Sequence, residues 1–112
     1  NFSEEWIVKN QAMIELMPKT YGHINFESFV KLMKSFDAFN MTERLSEIKC
    51  PTLIVVGEDD LIKGRPHAER MLKGIPHAEY MIIPGGAHAV CIDKPAPLNT
   101  ALIGFVLKHS QC

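Results

Sequence analysis

An acid and a histidine each follow a predicted strand, and together they could do acid–base chemistry. Residues 51–60, PTLIVVGEDD, predict a buried strand that turns at a glycine and ends on an acid. Residues 84–90, PGGAHAV, leave a second predicted strand and deliver a histidine. An aspartate bound to one ring nitrogen of a histidine fixes its tautomer, and the other nitrogen can then take a proton from a nucleophile. Asp60 and His88 are therefore the candidate catalytic residues.

The elements that must position this pair form a strand–helix–strand unit. Strands are predicted over residues 53–56 and 79–83, with a helix over residues 65–73 between them. Such a connection joins parallel strands, so both strands should end at the same edge of the sheet. Neighbouring strands lie about 5 Å apart, which lets the acid and the histidine meet. The unbroken apolar run of the first strand is typical of a parallel strand covered on both faces.

Helical sequence is predicted for most of residues 1–40 and again after the second strand. Ser3, with acids directly after it, predicts a helix start, and Pro18 is expected to end that helix. Residues 41–49 predict a short helix with Thr42 as its cap. Two apolar stripes are expected to face the core. The stripe after Gly22 contains Phe26, Phe29, Val30, Met33 and Phe36, and the stripe of the final helix contains Leu98, Ala101, Leu102, Phe105 and Val106.

The composition is typical of a globular domain, and the net charge does not indicate a strongly charged binding partner. Of the 112 residues, 46% are apolar and 22% are charged, and 12 basic against 13 acidic side chains leave a net charge of -1. This balance argues against binding to nucleic acid or to a membrane surface. No apolar run approaches the roughly 20 residues that a membrane span needs. The chain opens on Asn1 rather than methionine, which suggests that something upstream was removed.

The cysteines predict a reduced, cytoplasmic protein without a metal site. Cys50, Cys91 and Cys112 are odd in number and form no Cys-x-x-Cys pair. We expect Cys91 to be a small buried hydrophobic residue rather than a partner of His88. The acids of residues 58–60 lack the further ligands that a divalent cation needs, so neither a metal nor another cofactor is predicted.

Four motifs give residues 50–109 a resemblance to the C-terminal part of an α/β-hydrolase fold enzyme. They are PTLIVVGEDD, IPHAE, PGGAH and PLNTALIGFVLKH, and they occur in the order of the family. The resemblance covers about half of the chain. The preceding residues are similar to the helical cap of such enzymes only in their position and helical character.

The resemblance implies an α/β fold class: a C-terminal fragment of the α/β-hydrolase fold, with two parallel strands, a crossover helix and a closing helix, preceded by cap-like helices. It implies a cap-like segment over residues 1–49 and a core part over residues 50–112. The triad acid of the family falls on Asp60, which the G-x-x-D spacing after Gly57 favours over Asp59. The triad histidine falls on His88.

The nucleophile elbow of the family, G-x-S-x-G, is not in this sequence. The resemblance therefore implies a C-terminal fragment of a serine hydrolase that acts on an ester, thioester or related acyl bond of a small molecule, and the fragment alone should be inactive. Two alternatives stay open: a non-catalytic scaffold of the same fold, and a parent that uses an upstream aspartate or cysteine as nucleophile. Because a two-stranded sheet is marginal by itself, we also expect self-association through the helices or the exposed strand edge.

Overall fold

Six α-helices, one 3-10 helix and two strands make up residues 1–110, the part of the chain that the computed structural model describes. Cys112 and the end of the predicted core part lie outside these residues. The elements in chain order are α1 (Glu4–Lys9), α2 (Gln11–Tyr21), α3 (Phe26–Ala38), the 3-10 helix (Thr42–Glu47), β1 (Leu53–Gly57), α4 (Arg65–Gly74), β2 (Glu79–Ile83), α5 (Val90–Asp93) and α6 (Pro95–His109).

The two strands are parallel neighbours, as the strand–helix–strand pattern predicts. Their register runs from Leu53 opposite Glu79 to Gly57 opposite Ile83, so both strands end at the same edge of the sheet. The expected coverage of β1 on both faces is met only in part within the described residues. Ile54 and Val56 are buried, whereas Leu53 and the other outward residue of β1 are half-buried. One face of the sheet therefore carries most of the packing.

The core lies between the sheet, α4 and the 3-10 helix. Its buried members are Ile54, Val56, Ala68 and Ile75, and residues packed around them include Leu45, Ile48, Leu72 and Tyr80. The 3-10 helix packs closely against α4. A Cβ atom at Gly74 would lie only 2.6 Å from the Leu45 side chain, so the contact requires glycine at this position. This packing fixes the start of β1 and the crossover helix, and through them the edge where the strands end.

The apolar stripe of α3 does not face a core within the described residues, so that expectation is wrong. The stripe of α6 is divided: Leu98, Ala101 and Phe105 are half-buried, whereas Leu102 and Val106 are exposed. On α3, Phe26 is 76% exposed and Phe36 is 62% exposed; on α6, Val106 is 60% exposed. The reason is that the described residues contain no element that covers the exposed face of α3. The chain is correspondingly extended, since its radius of gyration of 16.8 Å exceeds the roughly 13 Å of a compact domain of about this size.

Some helix ends lie where the sequence predicts them, and others do not. The Oγ atom of Ser3 accepts the N–H of Trp6 at 3.4 Å, which confirms Ser3 as the cap of α1. Pro18 lies inside α2 and does not end it. The helix continues to Tyr21, although an interior proline loses one hydrogen bond and crowds the preceding turn. Thr42 is not a cap, because Met41 holds that position without a side-chain bond.

A short helix that the sequence did not predict, α5, directly follows the His88 loop. It places Cys91 on the surface, so the expectation of a buried Cys91 is wrong. None of the helices within residues 1–110 combines the length and the apolar character that crossing a membrane requires.

Candidate active site

The carboxylate of Asp60 contacts the imidazole of His88. Asp60 Oδ2 lies 3.0 Å from His88 Nδ1, although the two residues belong to different loops. Each loop begins where its strand ends, so the contact follows from the parallel pairing of β1 and β2. With Nδ1 facing the carboxylate, Nε2 is the ring nitrogen available for proton transfer. This is the arrangement that an acid–histidine pair needs for general-base chemistry.

The second carboxylate oxygen of Asp60 is held by its own loop. Oδ1 accepts the backbone N–H of Ile62 at 2.8 Å and that of Lys63 at 2.9 Å. Both oxygens are therefore bound, and only 7% of the side chain is exposed. Burial opposes ionisation, but the hydrogen bonds from Lys63, His88 and Ile62 outweigh it and lower the pKa of Asp60. The site favours a fixed, ionised carboxylate.

Asp59, the competing acid, has a different task in the structure. The backbone N–H of Asp59 donates to the carbonyl oxygen of Gly86 at 2.8 Å, and Asp59 is exposed to solvent. Within residues 1–110, the His88 ring is bound by the carboxylate of Asp60 and not by that of Asp59. Of the two neighbouring acids, the structure brings Asp60 to the histidine.

The two loops are pressed together at the end of the sheet. A Cβ built at Gly57 would lie 2.4 Å from the carbonyl oxygens of both Gly86 and Ala87. The Glu58 N–H donates to the carbonyl oxygen of Ile83 at 3.0 Å, and the Glu58 carboxylate accepts the N–H of Gly85 at 3.1 Å. Gly57 is therefore required for close approach, and the approach sets the distance between the acid and the histidine.

Sequence analysis did not identify two residues that bind the backbone of the His88 loop. The N–H of Ala87 donates to Asp93 Oδ2 at 3.1 Å, and the N–H of His88 donates to Asn1 Oδ1 at 3.1 Å. No local sequence pattern marks either residue, because the Asn1 contact joins residues 87 positions apart and Asp93 lies on the unpredicted helix α5.

A groove beside the pair is large enough for a small molecule. It has a volume of about 830 Å³, and its lining combines the whole of β1 with Asp60, His88, Met41 and Met71. Small-molecule sites commonly enclose about 300–1,000 Å³ and join an apolar wall to a few polar groups. Because β1 is bonded only to β2 within the described residues, this groove is an open cleft along the strand that ends at the acid–histidine pair.

The described residues supply neither a metal cluster nor a nucleophile at the His88 ring. No group of three or more His, Cys, Asp or Glu side chains within residues 1–110 is arranged to hold a metal ion. In the same part of the chain, the ring of His88 is bound by a carboxylate and not by a serine hydroxyl. The Ser3 hydroxyl is occupied as a helix cap.

Comparisons with known proteins identify relatives that are much longer than this chain. No protein-family model matches the sequence. The RutD protein of Rhizobium rhizogenes strain K84, which is named as a carbamate hydrolase, is 32% identical over 109 residues, or 95% of this chain and 41% of the relative. The RutD protein of Agrobacterium fabrum strain C58 is 30% identical over the same length. The chain thus spans about two-fifths of the length of these relatives.

Solved structures share the fold over nearly the whole chain. The enol-lactonase of Burkholderia xenovorans LB400 superposes with a TM-score of 0.82 over 95% of this chain and 40% of its own, at 17% identity. Est816, described as an enzyme that degrades N-acyl homoserine lactones, superposes with a TM-score of 0.74 at 29% identity, over 93% of this chain and 42% of its own. Together with the sequence relatives, these structures show that the chain has an α/β-hydrolase fold, of which it carries the C-terminal part.

Proposed function

We propose that this chain is part of a serine hydrolase that cleaves an ester, thioester or related acyl bond of a small molecule, with Asp60 and His88 as two members of its catalytic triad. The observation that carries the proposal is the contact of 3.0 Å between Asp60 Oδ2 and His88 Nδ1 at the end of two parallel strands. The α/β-hydrolase fold supports it, and so do the relatives, whose names describe a carbamate hydrolase and lactone-cleaving enzymes.

In this mechanism, His88 moves the proton and Asp60 keeps the histidine ready. Asp60 accepts a hydrogen bond from the Nδ1–H group, so Nε2 carries the lone pair and takes a proton from the attacking hydroxyl as that oxygen bonds to the acyl carbon. The imidazolium then gives this proton to the leaving group. Water repeats the sequence to release the acid. Asp60 stays ionised throughout, which agrees with its lowered pKa.

The nucleophile and the oxyanion donors belong to other parts of the fold. In this family the elbow serine and the oxyanion backbone N–H groups come from turns that precede the acid. We therefore infer that the 112-residue chain is inactive alone. A parent protein that uses an aspartate or a cysteine as nucleophile instead of serine could use the same acid–histidine pair. The residue at the elbow position distinguishes these three nucleophiles.

The helical region and the strand–helix–strand region are proposed to have separate tasks. Residues 1–49 would form a cap and residues 50–112 a part of the catalytic core. The exposed aromatic face of α3 supports this division, since a cap needs an apolar surface toward the acyl pocket. The free Cys50 and Cys91 support a reducing, cytoplasmic location.

A chimera tests the proposed roles. This chain would replace the matching segment of the Rhizobium RutD protein, and hydrolysis of p-nitrophenyl acetate would be followed. We expect turnover in the chimera, a loss of about 10⁴-fold in kcat for D60N and a comparable loss for H88A. H23A is the matched control, because His23 is exposed and lies outside the site.

Two outcomes would contradict the proposal. Full activity in a folded H88A chimera would remove His88 from the mechanism. A folded chimera that lacks activity, while the RutD protein itself hydrolyses the ester, would instead support the alternative of a non-catalytic scaffold. Circular dichroism of each variant establishes that it is folded.

A further inference from the structure

Three successive backbone N–H groups of the His88 loop are bound by residues that lie outside the loop. The N–H of Ala87 donates to Asp93 Oδ2 at 3.1 Å. The N–H of His88 donates to the side chain of Asn1 at 3.1 Å, and the N–H of Ala89 donates to the carbonyl oxygen of Asn1 at 3.0 Å. The backbone on both sides of the histidine is thereby fixed.

Asp93 joins the two halves of this network. Its Oδ2 atom accepts the N–H of Ser3 at 3.0 Å as well as that of Ala87. Both donors are buried, with Ser3 9% exposed and Ala87 2% exposed. One carboxylate oxygen therefore ties the start of the chain to the loop.

An ion pair joins the same two segments a short distance away. Lys94 Nζ lies 2.9 Å from Glu5 Oε2. Glu5 follows Ser3 on α1, and Lys94 follows Asp93 after α5. The hydrogen bond that Lys94 donates to Glu5, aided by the charges of Glu5, Asp93 and Asp59, raises the pKa of Lys94. The contact between the N-terminal segment and α5 is therefore supported at two points.

Packing against the end of β1 holds the backbone of Gly86 and Ala87, but it does not enclose the His88 ring. The His88 side chain is 43% exposed, so packing does not fix the ring. Gly85, with φ of +61°, and Gly86 precede it, and glycine allows the backbone many conformations. The direction of the ring then depends on the hydrogen bonds of the loop backbone.

We propose that Asp93 is a positioning residue for His88: by holding Ala87 and the Ser3-anchored start of the chain, it keeps His88 Nδ1 directed at Asp60. The inference rests on the proposed function, because positioning matters only if His88 transfers a proton. It assigns a task to the first three residues as well, since Asn1 binds the remaining two N–H groups of the loop.

The test measures the tautomer of His88 in the 112-residue chain by long-range ¹H–¹⁵N NMR. The variants are D93A, S3P and S3A, with D60N as the reference for a lost acid contact. Ser3 has φ of −65°, which proline adopts without strain, so S3P removes the donor N–H. S3A is its matched control, because both variants lose the helix cap and only S3P loses the N–H.

We expect the Nδ1–H tautomer to predominate in the unmodified chain and in S3A. In D93A and S3P, the ratio of Nδ1–H to Nε2–H should fall at least about twofold, toward the ratio in D60N. The comparison of S3P with S3A tests the positioning role of Asp93 even if D93A does not fold, because these two variants differ in the loss of one backbone N–H near the start of the chain.

The two proposals fail in different ways. If D60N leaves the tautomer ratio unchanged, the Asp60–His88 contact is wrong and the proposed function loses its support. If D60N lowers the ratio while S3P matches S3A and D93A matches the unmodified chain, the positioning role of Asp93 is wrong and the proposed function stands.

Discussion

Gly57 lies against the backbone of Gly86, with room for a hydrogen but not for a methyl group between them. A Cβ at Gly57 would be 2.4 Å from the Gly86 carbonyl oxygen and equally close to that of Ala87. These are backbone atoms of the loop that carries His88, so they cannot rotate out of the way as a flexible side chain would. The end of β1 and the histidine loop therefore behave as one packed unit.

We expect G57A to lower the free energy of unfolding by about 1–3 kcal/mol, because the added methyl group forces two loops apart. Urea denaturation at pH 7 measures the change. G104A is the matched control, since a Cβ at Gly104 meets nothing within 4 Å. Alanine is favoured over glycine in a helix, so G104A should raise the free energy of unfolding by at most about 1 kcal/mol. Equal stability of the two variants would show that the loops are not packed as described.

The Asp60 site should make stability depend on pH in a defined direction. Its pKa is lowered in the folded chain from an ordinary value of 3.8, so its contribution is fully present above that value and is lost as the pH falls through the folded-state pKa. Each unit of lowering corresponds to about 1.4 kcal/mol.

Urea unfolding of the unmodified chain and of D60N, between about pH 6 and about pH 2.5, measures this contribution. The difference in stability should be constant near pH 6 and shrink toward the acid end. A difference that grew on acidification would mean that the pKa of Asp60 is raised on folding, contrary to its hydrogen bonds.

The 112-residue chain alone should not hydrolyse p-nitrophenyl acetate in a way that depends on His88. The reason is that no hydroxyl of the described residues is placed at the His88 ring, and loss of a triad member lowers turnover by several powers of ten. Initial rates of the unmodified chain, H88A and H23A should agree with one another. Hydrolysis that disappears only in H88A would show a nucleophile within this chain.

The exposed apolar face of α3 should drive self-association. Phe36 is 62% exposed and Phe26 is 76% exposed, and burial of such side chains is favourable. Sizing chromatography at several concentrations should show a larger species for the unmodified chain and a shift toward monomer for F36E. S35E adds the same charge one residue away and should behave as the unmodified chain does; a concentration-independent monomer throughout would contradict the prediction.

The local parts of the fold were predictable because their signals are local. The apolar run of β1 and its terminal glycine gave the strand, Pro66 near the start of α4 and Gly74 at its end gave the helix, and the connection gave the parallel pairing. That pairing predicted that an acid and His88 could meet, and the resemblance to α/β-hydrolase fold enzymes favoured Asp60 over Asp59.

The other parts of the fold could not be predicted, because they depend on surfaces and contacts that the periodic spacing of apolar residues does not encode. The stripe of α3 has helical spacing, but its burial requires a partner surface that the described residues do not supply. The bond from Ser3 to Asp93 joins residues 90 positions apart. A pattern of residue types shows which face of a helix is apolar, but not which part of a protein covers it.

The one-sided pairing of β1 has a practical consequence for handling the protein. Within the described residues, β1 is bonded to β2 along one edge, and its sequence LIVVG is apolar, uncharged and free of proline. Segments of this kind template cross-β stacking once several molecules meet in a partly open state. Heating should therefore precipitate the chain in a manner that depends on scan rate, so chemical denaturation at low concentration is the better measure of its equilibrium stability.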